Sequence, residues 1–276
     1  MGLGSGRAAS VFIAKLGARR REGLRVSGVP TSQASADQAR LAGIPIVELG
    51  AGGLLDLTVD GADEVAPNLD LVKGWGGALV HERIVAAASA SQVILVGEDK
   101  LVRALGERGR VPVEVIPLAE WLATRALKAL GLVPTRRTDV DGSRPFITEN
   151  GNLILDCALP EPLPDGNAAR ELQRAMRAIV GVVDTGLFLG TADRVLVGHP
   201  DGRVDTFPAG ALKVHASRRR GPAQRRCTSL VRRRHGSLQP RAKRSVRAGN
   251  LWWPSPAARR REIPTSGSPR SLWCRG

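Results

Sequence analysis

Between Asp60 and Arg83 the chain reads Asp-Gly-Ala-Asp-Glu and then, from Lys73, Lys-Gly-Trp-Gly-Gly-Ala-Leu-Val-His-Glu-Arg. Two aspartates on a glycine turn, a lysine, a glycine-rich loop and a further acid therefore fall within one short segment. Charges crowded beside glycines build a poor core, because each buried charge needs a partner. They suit a small anionic, hydroxylated substrate whose protons are to be moved. Moving a proton between carbons beside a carbonyl needs a base for the carbon acid and a group that shuttles hydroxyl protons. It also needs a cation or hydrogen-bond donors for the enediolate oxygen. Glu82, Lys73, Asp60 and Asp63 supply these types. Taken singly, Glu82 reads as a solvated helix acid and Asp63 as a turn former; the joint pattern points to chemistry.

A second glycine cluster, Gly2-Leu-Gly4-Ser5-Gly6, precedes a helical pattern. Glycines let backbone N–H groups approach an anion at a helix N-terminus, where the dipole also favours it. Alone the pattern is weak, since turns use glycine for steric reasons. A dinucleotide site would want an acid at the end of the second strand; Thr31 and Ser32 stand there instead. Their hydroxyls suit a phosphate as well as they suit a helix cap, and both readings stay open.

These residues need elements to hold them. Helices are expected at Arg7–Leu16, Gln38–Ala42 and Leu79–Ser89. Strands are expected at Leu24–Ser27, Val47–Leu49, Leu54–Val59 and Gln92–Val96. That alternation is the signature of parallel α/β units, and it puts Asp60 at a strand's carboxyl end, where open α/β sheets bind ligands. From Val111 the rhythm changes. Val113–Ile116 reads as a strand and Leu118–Leu130 as a helix. Arg144–Thr148 and Leu153–Cys157 read as a hairpin about Glu149-Asn-Gly-Asn152, followed by a helix at Asn167–Ile179 and a strand at Val182–Leu189. This β-α-β-β-α-β order predicts a split-βαβ, ferredoxin-like unit. Arg194–Val197 and Arg203–Phe207 form a last hairpin. The expected organisation is a Rossmann-like parallel-sheet domain over residues 1–110 and 190–208. A small α+β domain at 111–189 is inserted in it, and a disordered basic tail occupies 209–276.

The net charge of +15 over 276 residues conceals two kinds of polypeptide. From Ala209 onward there are 18 Lys and Arg against one acid, Glu262, so the tail carries +17 and the remainder −2. The tail's arginine triplets at 218–220, 232–234 and 259–261 lie among Pro, Ser and Gly, a composition that cannot offset its ordering entropy. An arm binding nucleic acid nonspecifically, with Trp252, Trp253 and Trp273 stacking on bases, is one reading. An appended sequence without a selected role is preferred, because the charges show no helical spacing. Cys157, Cys227 and Cys274 lack CxxC or Cys/His spacing, which argues against zinc and against a disulfide framework. No apolar stretch approaches the ~20 residues of a membrane span, and no secretory signal is evident, so a cytoplasmic location is expected.

The motifs together resemble the type A ribose-5-phosphate isomerase family. The similarity runs from Gly2 to about Phe207. It includes Thr31-Ser32, Val59-Asp60-Gly-Ala-Asp-Glu64, Lys73-Gly-x-Gly-Gly-Ala-Leu-x-x-Glu82, Glu98-Asp99-Lys100, Val113-Glu-Val-Ile-Pro117, Asn150-Gly-Asn-Leu-Ile-Leu-Asp156 and Gly198-His-Pro-Asp-Gly202. The resemblance implies an aldose–ketose isomerase without metal or cofactor, interconverting ribose 5-phosphate and ribulose 5-phosphate in the pentose phosphate pathway. It implies Glu82 as the base between C2 and C1, Asp60 and Asp63 for ring opening and hydroxyl protons, and Lys73 for the enediolate. Gly4, Ser5, Gly6, Thr31, Ser32, Gly74, Gly76, Gly77 and Lys100 would surround the substrate and its phosphate. A homodimer or dimer of dimers is implied as well.

The chain departs from the family's pattern in several places. Glycine is more usual at Trp75, whose indole is expected to crowd the loop. A Ser-Thr pair is more usual at Arg7-Ala8, and Arg, Lys or Gln at His81. Family members carry a helix and most of a strand ahead of the first glycine loop, so an interior strand of the sheet is expected to be missing. A non-catalytic sugar-phosphate binder therefore stands beside the isomerase as an alternative.

Overall fold

A computed structural model describes residues 1–50 and 53–208. The chain opens with β1 (Gly2–Leu3), α1 (Gly6–Arg21), β2 (Val29–Pro30), α2 (Gln33–Leu41) and β3 (Thr58–Asp60). A short antiparallel pair, β4 (Glu64–Val65) and β5 (Leu71–Val72), leads to α3 (Leu79–Ala87) and β6 (Gln92–Gly97). Next come β7 (Val111–Val115), α4 (Glu120–Ala129), β8 (Val133–Arg136), β9 (Leu153–Ala158), α5 (Gly166–Arg177) and β10 (Val182–Thr185). The described chain closes with β11 (Leu187–Phe188), β12 (Arg194–Gly198) and β13 (Val204–Pro208).

The main sheet has the order β13-β12-β6-β3-β1-β2, parallel except for the terminal β12–β13 hairpin. The interior strand expected to be missing is supplied by Gly2–Leu3, which pair with β2 on one side and β3 on the other; Leu3 is fully buried with Ile13, Leu16, Ala39 and Ile44. Leu24–Ser27 form no strand and Leu54–Leu57 contribute only an isolated bridge from Leu55 to Ser89, so β2 and β3 begin later than expected. Val47–Leu49 likewise forms no strand; the neighbouring contact is an isolated bridge from Gly28 to Ile46. On its other face the sheet buries Ile94, Val96, Leu79, Val195 and Val197 with Phe188 and Ile154.

The second sheet is antiparallel in the order β10-β7-β9-β8, which a β-α-β-β-α-β unit gives when its two halves interleave. Its core gathers Val113, Val115, Leu127, Leu155, Cys157 and Met176. The partner of β9 is β8 rather than Arg144–Thr148, which makes only the isolated bridges Thr138–Pro145 and Ile147–Leu153; Pro145 has no N–H to give a ladder. The strand expected over Val182–Leu189 divides at Gly186. Before it, β10 pairs with β7, and after it β11 pairs with β5 in a three-stranded sheet. Gly186 N–H donates to Pro112 O and its carbonyl accepts from Lys73 N, packing so closely that a Cβ would overlap Lys73 O. Among the described residues no helix is long and apolar enough to cross a membrane. The expectations for residues 209–276 lie outside the described residues.

Candidate active site

The carboxyl ends of β1, β3 and β6 open onto a cleft of about 370 Å³. Ser5, Gly6, Asp63, Lys73, Gly74, Gly76, Glu82 and Lys100 line it, together with Arg7, Ala8 and Asp99. Each arrives for a local reason. Asp60 is the last residue of β3, Lys73 directly follows β5, and Glu82 lies in the first turn of α3, where the helix dipole favours a negative charge.

At the floor of the cleft Lys73 Nζ donates to Gly61 O at 2.5 Å and pairs with Asp60 Oδ2 at 3.0 Å. Glu82 Oε2 lies 3.4 Å from the same ammonium, close enough to feel its charge but without hydrogen-bond geometry, and this oxygen has no hydrogen-bond partner among the described residues. Asp60, Lys73 and Glu82 are respectively 1%, 2% and 7% exposed. Burial pushes the Glu82 carboxyl up to about 8, against the pull of Lys73 and with help from the negative charges of Asp60 and Asp63. Burial alone would depress Lys73, but Asp60 and Glu82 outweigh it and hold the ammonium above its ordinary value. Lys73 thus sits between two carboxyl groups, and the proton that Glu82 keeps up to about 8 belongs to the coupled cluster rather than to one side chain alone.

Asp60 does not reach the cleft surface. Its Oδ1 accepts from Ser5 N at 3.0 Å and Gly61 N at 2.7 Å, which leaves Oδ2 for Lys73. Gly4 is glycine because a Cβ there would overlap this carboxylate. Asp63 does face the cleft, with Oδ2 accepting from Trp75 N at 2.9 Å. Burial raises its carboxyl; the Trp75 N–H and the charges of Lys73, Lys100 and Arg137 work against the rise.

The N-terminus of α1 also enters the cleft, through Ser5, Gly6, Arg7 and Ala8. Ser5 is the cap residue, yet its hydroxyl caps nothing; it meets Thr31 Oγ1 and Ser32 Oγ, each at 2.8 Å. Thr31 is buried behind Ser5 and Ser32 caps α2 by accepting from Ser35 N, so neither lines the cleft. Gly77 is also behind the surface; its φ of +89° suits glycine, and a Cβ would collide with Phe146. Lys100, on the single turn after β6, lines the same cleft.

The Trp75 indole does not fill the loop. Its Nε1 donates to Arg110 O at 3.2 Å, and its ring stands 5.1 Å from the Arg110 guanidinium and 5.8 Å from the charged groups of Lys100 and Arg108. Residues outside the expected set also bear on the site. Arg137 holds the carbonyls of Gly74 and Trp75, Phe188 lies 5.6 Å beneath Lys73 Nζ, and Ser35 bonds Gly4 O. Sequence offered little signal for them, since Arg137 sits in a basic pair that reads as solvated.

Residues 27–202 match the family model for ribose 5-phosphate isomerase A (phosphoriboisomerase A). The chain is 46% identical over 213 residues to ribose-5-phosphate isomerase A of Roseiflexus sp. (strain RS-1), covering 76% of this chain and 89% of that one. It superposes on the ribose 5-phosphate isomerase A structure from Methanocaldococcus jannaschii with TM-score 0.69, 42% identity and coverage of 75% and 89%. A D-ribose-5-phosphate isomerase in complex with phospho-erythronic acid gives TM-score 0.70 at 37% identity, with the same coverages.

Proposed function

Because this chain belongs to the ribose 5-phosphate isomerase A family, we propose that it interconverts D-ribose 5-phosphate and D-ribulose 5-phosphate at this cleft, in the non-oxidative pentose phosphate pathway. The observation that carries the reading is the buried Asp60–Lys73–Glu82 cluster beneath a cleft that is also lined by the N-terminus of α1 and by Lys100. A base beside a cation and a helix N-terminus beside a lysine are the two kinds of chemistry that a sugar phosphate requires.

In this proposal the phosphate sits against the amides of Gly6, Arg7 and Ala8, where the α1 dipole favours an anion, with Lys100 in the same cleft. The hydroxyls of Thr31, Ser32 and Ser35 hold Ser5 in place rather than touching substrate. The ionised Glu82 carboxylate takes the C2 proton of the open-chain aldose, and the electron pair moves onto O1 to give an enediolate. A carboxylate with raised proton affinity is a stronger base than an ordinary one. Lys73 stabilises the developing oxygen charge without reorganisation, because Asp60 and Gly61 O already fix its ammonium. Asp63, which opens the sugar ring, carries the hydroxyl proton from O2 to O1, and Glu82 returns its proton to C1 to give the ketose. Asp60 acts through Lys73 and Ser5. Assembly as a homodimer or dimer of dimers and a cytoplasmic location belong to the same proposal.

Glu82→Gln keeps volume and hydrogen bonding but removes the base. Isomerisation should fall by roughly 10² or more while ribose 5-phosphate still binds. Near-parental turnover in this variant would rule out Glu82 as the base.

A further inference from the structure

We infer that Arg137, anchored by Asp156, is a positioning residue that sets the peptide orientations of the glycine loop. The inference rests on the isomerase reading of the cleft. Arg137 follows β8, and its backbone N–H donates to Ile154 O of β9 at 2.8 Å, so its main chain is part of the antiparallel sheet. Its guanidinium makes a two-pronged pair with Asp156 of β9, with Nε at 2.9 Å from Oδ2 and Nη2 at 2.5 Å from Oδ1. The remaining edge points at the loop, where Nη1 donates to Gly74 O and Trp75 O, each at 3.1 Å. Both side chains are close to fully buried, 10% and 12% exposed, and the Phe146 ring lies 5.7 Å from the guanidinium carbon. Four of the five N–H groups an arginine carries are therefore committed.

The consequence follows from the planarity of trans peptides, in which C=O and N–H point in opposite directions. Drawing Gly74 O toward Arg137 turns Trp75 N–H the other way, where it donates to Asp63 Oδ2. Drawing Trp75 O toward Arg137 turns Gly76 N–H away from the guanidinium; this N–H has no acceptor among the described residues, and Gly76 lines the cleft. Gly74 and Gly77 have φ of +99° and +89°. A loop with such glycines has wide conformational freedom of its own and needs an outside constraint to hold one conformation. A planar fork can bond a carboxylate on one edge and two carbonyls on another; a lysine ammonium cannot. Arg137 also adds positive charge near Asp63, which opposes the effect of burial on that carboxyl.

The test compares the full chain with Arg137→Lys and Arg137→Ala. Thermal melts, kcat and KM for ribose 5-phosphate, the pH profile of kcat/KM, and hydrogen exchange of the Trp75 and Gly76 amides are measured. Expected in the folded variants is a kcat lowered roughly 10- to 100-fold with KM little changed, and faster exchange at Trp75. The climb of kcat/KM with pH, set by Glu82, should stay near 8, because Arg137 does not bear on that carboxyl. Added methylguanidinium should restore part of kcat in Arg137→Ala. Parental kcat in Arg137→Lys would overturn the inference. So would unchanged Trp75 exchange in either variant, whatever the parent's activity; an inactive parent would sink the isomerase reading alone.

Discussion

Replacing Glu82 by Gln should stabilise the protein at high pH and leave its stability almost unchanged at low pH. The folded carboxyl holds its proton up to about 8, whereas the unfolded side chain releases it near 4.5. Between those values the folded state binds more protons than the unfolded one. Unfolding free energy then falls as pH rises, so Glu82's contribution is fully retained below about 4.5 and lost by about 8. Each pH step of one across that window is worth about 1.4 kcal/mol, which sets a ceiling of ~5 kcal/mol. Coupled titration within the cluster keeps the realised effect below that ceiling. The neutral amide of the variant would carry no such penalty, and the Lys73–Asp60 pair survives the substitution. For a domain of this size each kcal/mol realised corresponds to a Tm gain of roughly 2–4 °C. The assay is a set of thermal melts of both proteins from pH 5 to pH 9. The Tm difference should be near zero at pH 5 and grow to its full value by pH 9. A constant difference would refute a desolvated, proton-holding Glu82. A loss of Tm at pH 9 would show instead that an ionised Glu82 stabilises the fold through Lys73.

Two further outcomes follow from the same geometry. The base must be ionised to act, so kcat/KM for ribose 5-phosphate should climb through an apparent pKa near 8 rather than level off near 5; a flat profile between pH 6 and 9 would contradict the assignment. Trp75→Gly should not raise kcat or lower KM, because the indole lies against Arg110 outside the cleft; a clear gain in either would show that the ring does impede the site.

Much of the site was legible in the chain because its parts are local. Ten residues separate Asp63 from Lys73 and nine separate Lys73 from Glu82, so one strand–turn–strand–helix passage carries all three. A glycine loop before an apolar helix pattern is enough to put Glu82 in a first turn. The change from parallel units to a β-α-β-β-α-β order, and the closing hairpin about His199-Pro-Asp-Gly202, were legible for the same reason: periodicity and turn chemistry are properties of neighbouring residues.

Tertiary structure decided which face each group presents, because that depends on strand register and on partners far away in the chain. Asp60 looks like Asp63 in sequence, yet the amides of Ser5 and Gly61 hold it behind Lys73 while Asp63 lines the cleft. Thr31 and Ser32 could touch a phosphate or cap a helix; pairing of β2 with the two-residue β1 places them behind Ser5. The span 182–189 reads as one returning strand, but Gly186 wedges against Lys73 and Pro112 and divides it between two sheets. Arg137 reaches Gly74 and Trp75 across more than sixty residues of chain. Spacing within a segment specifies which groups travel together. Only long-range packing, where a buried charge must find its partner, selects the ones that meet.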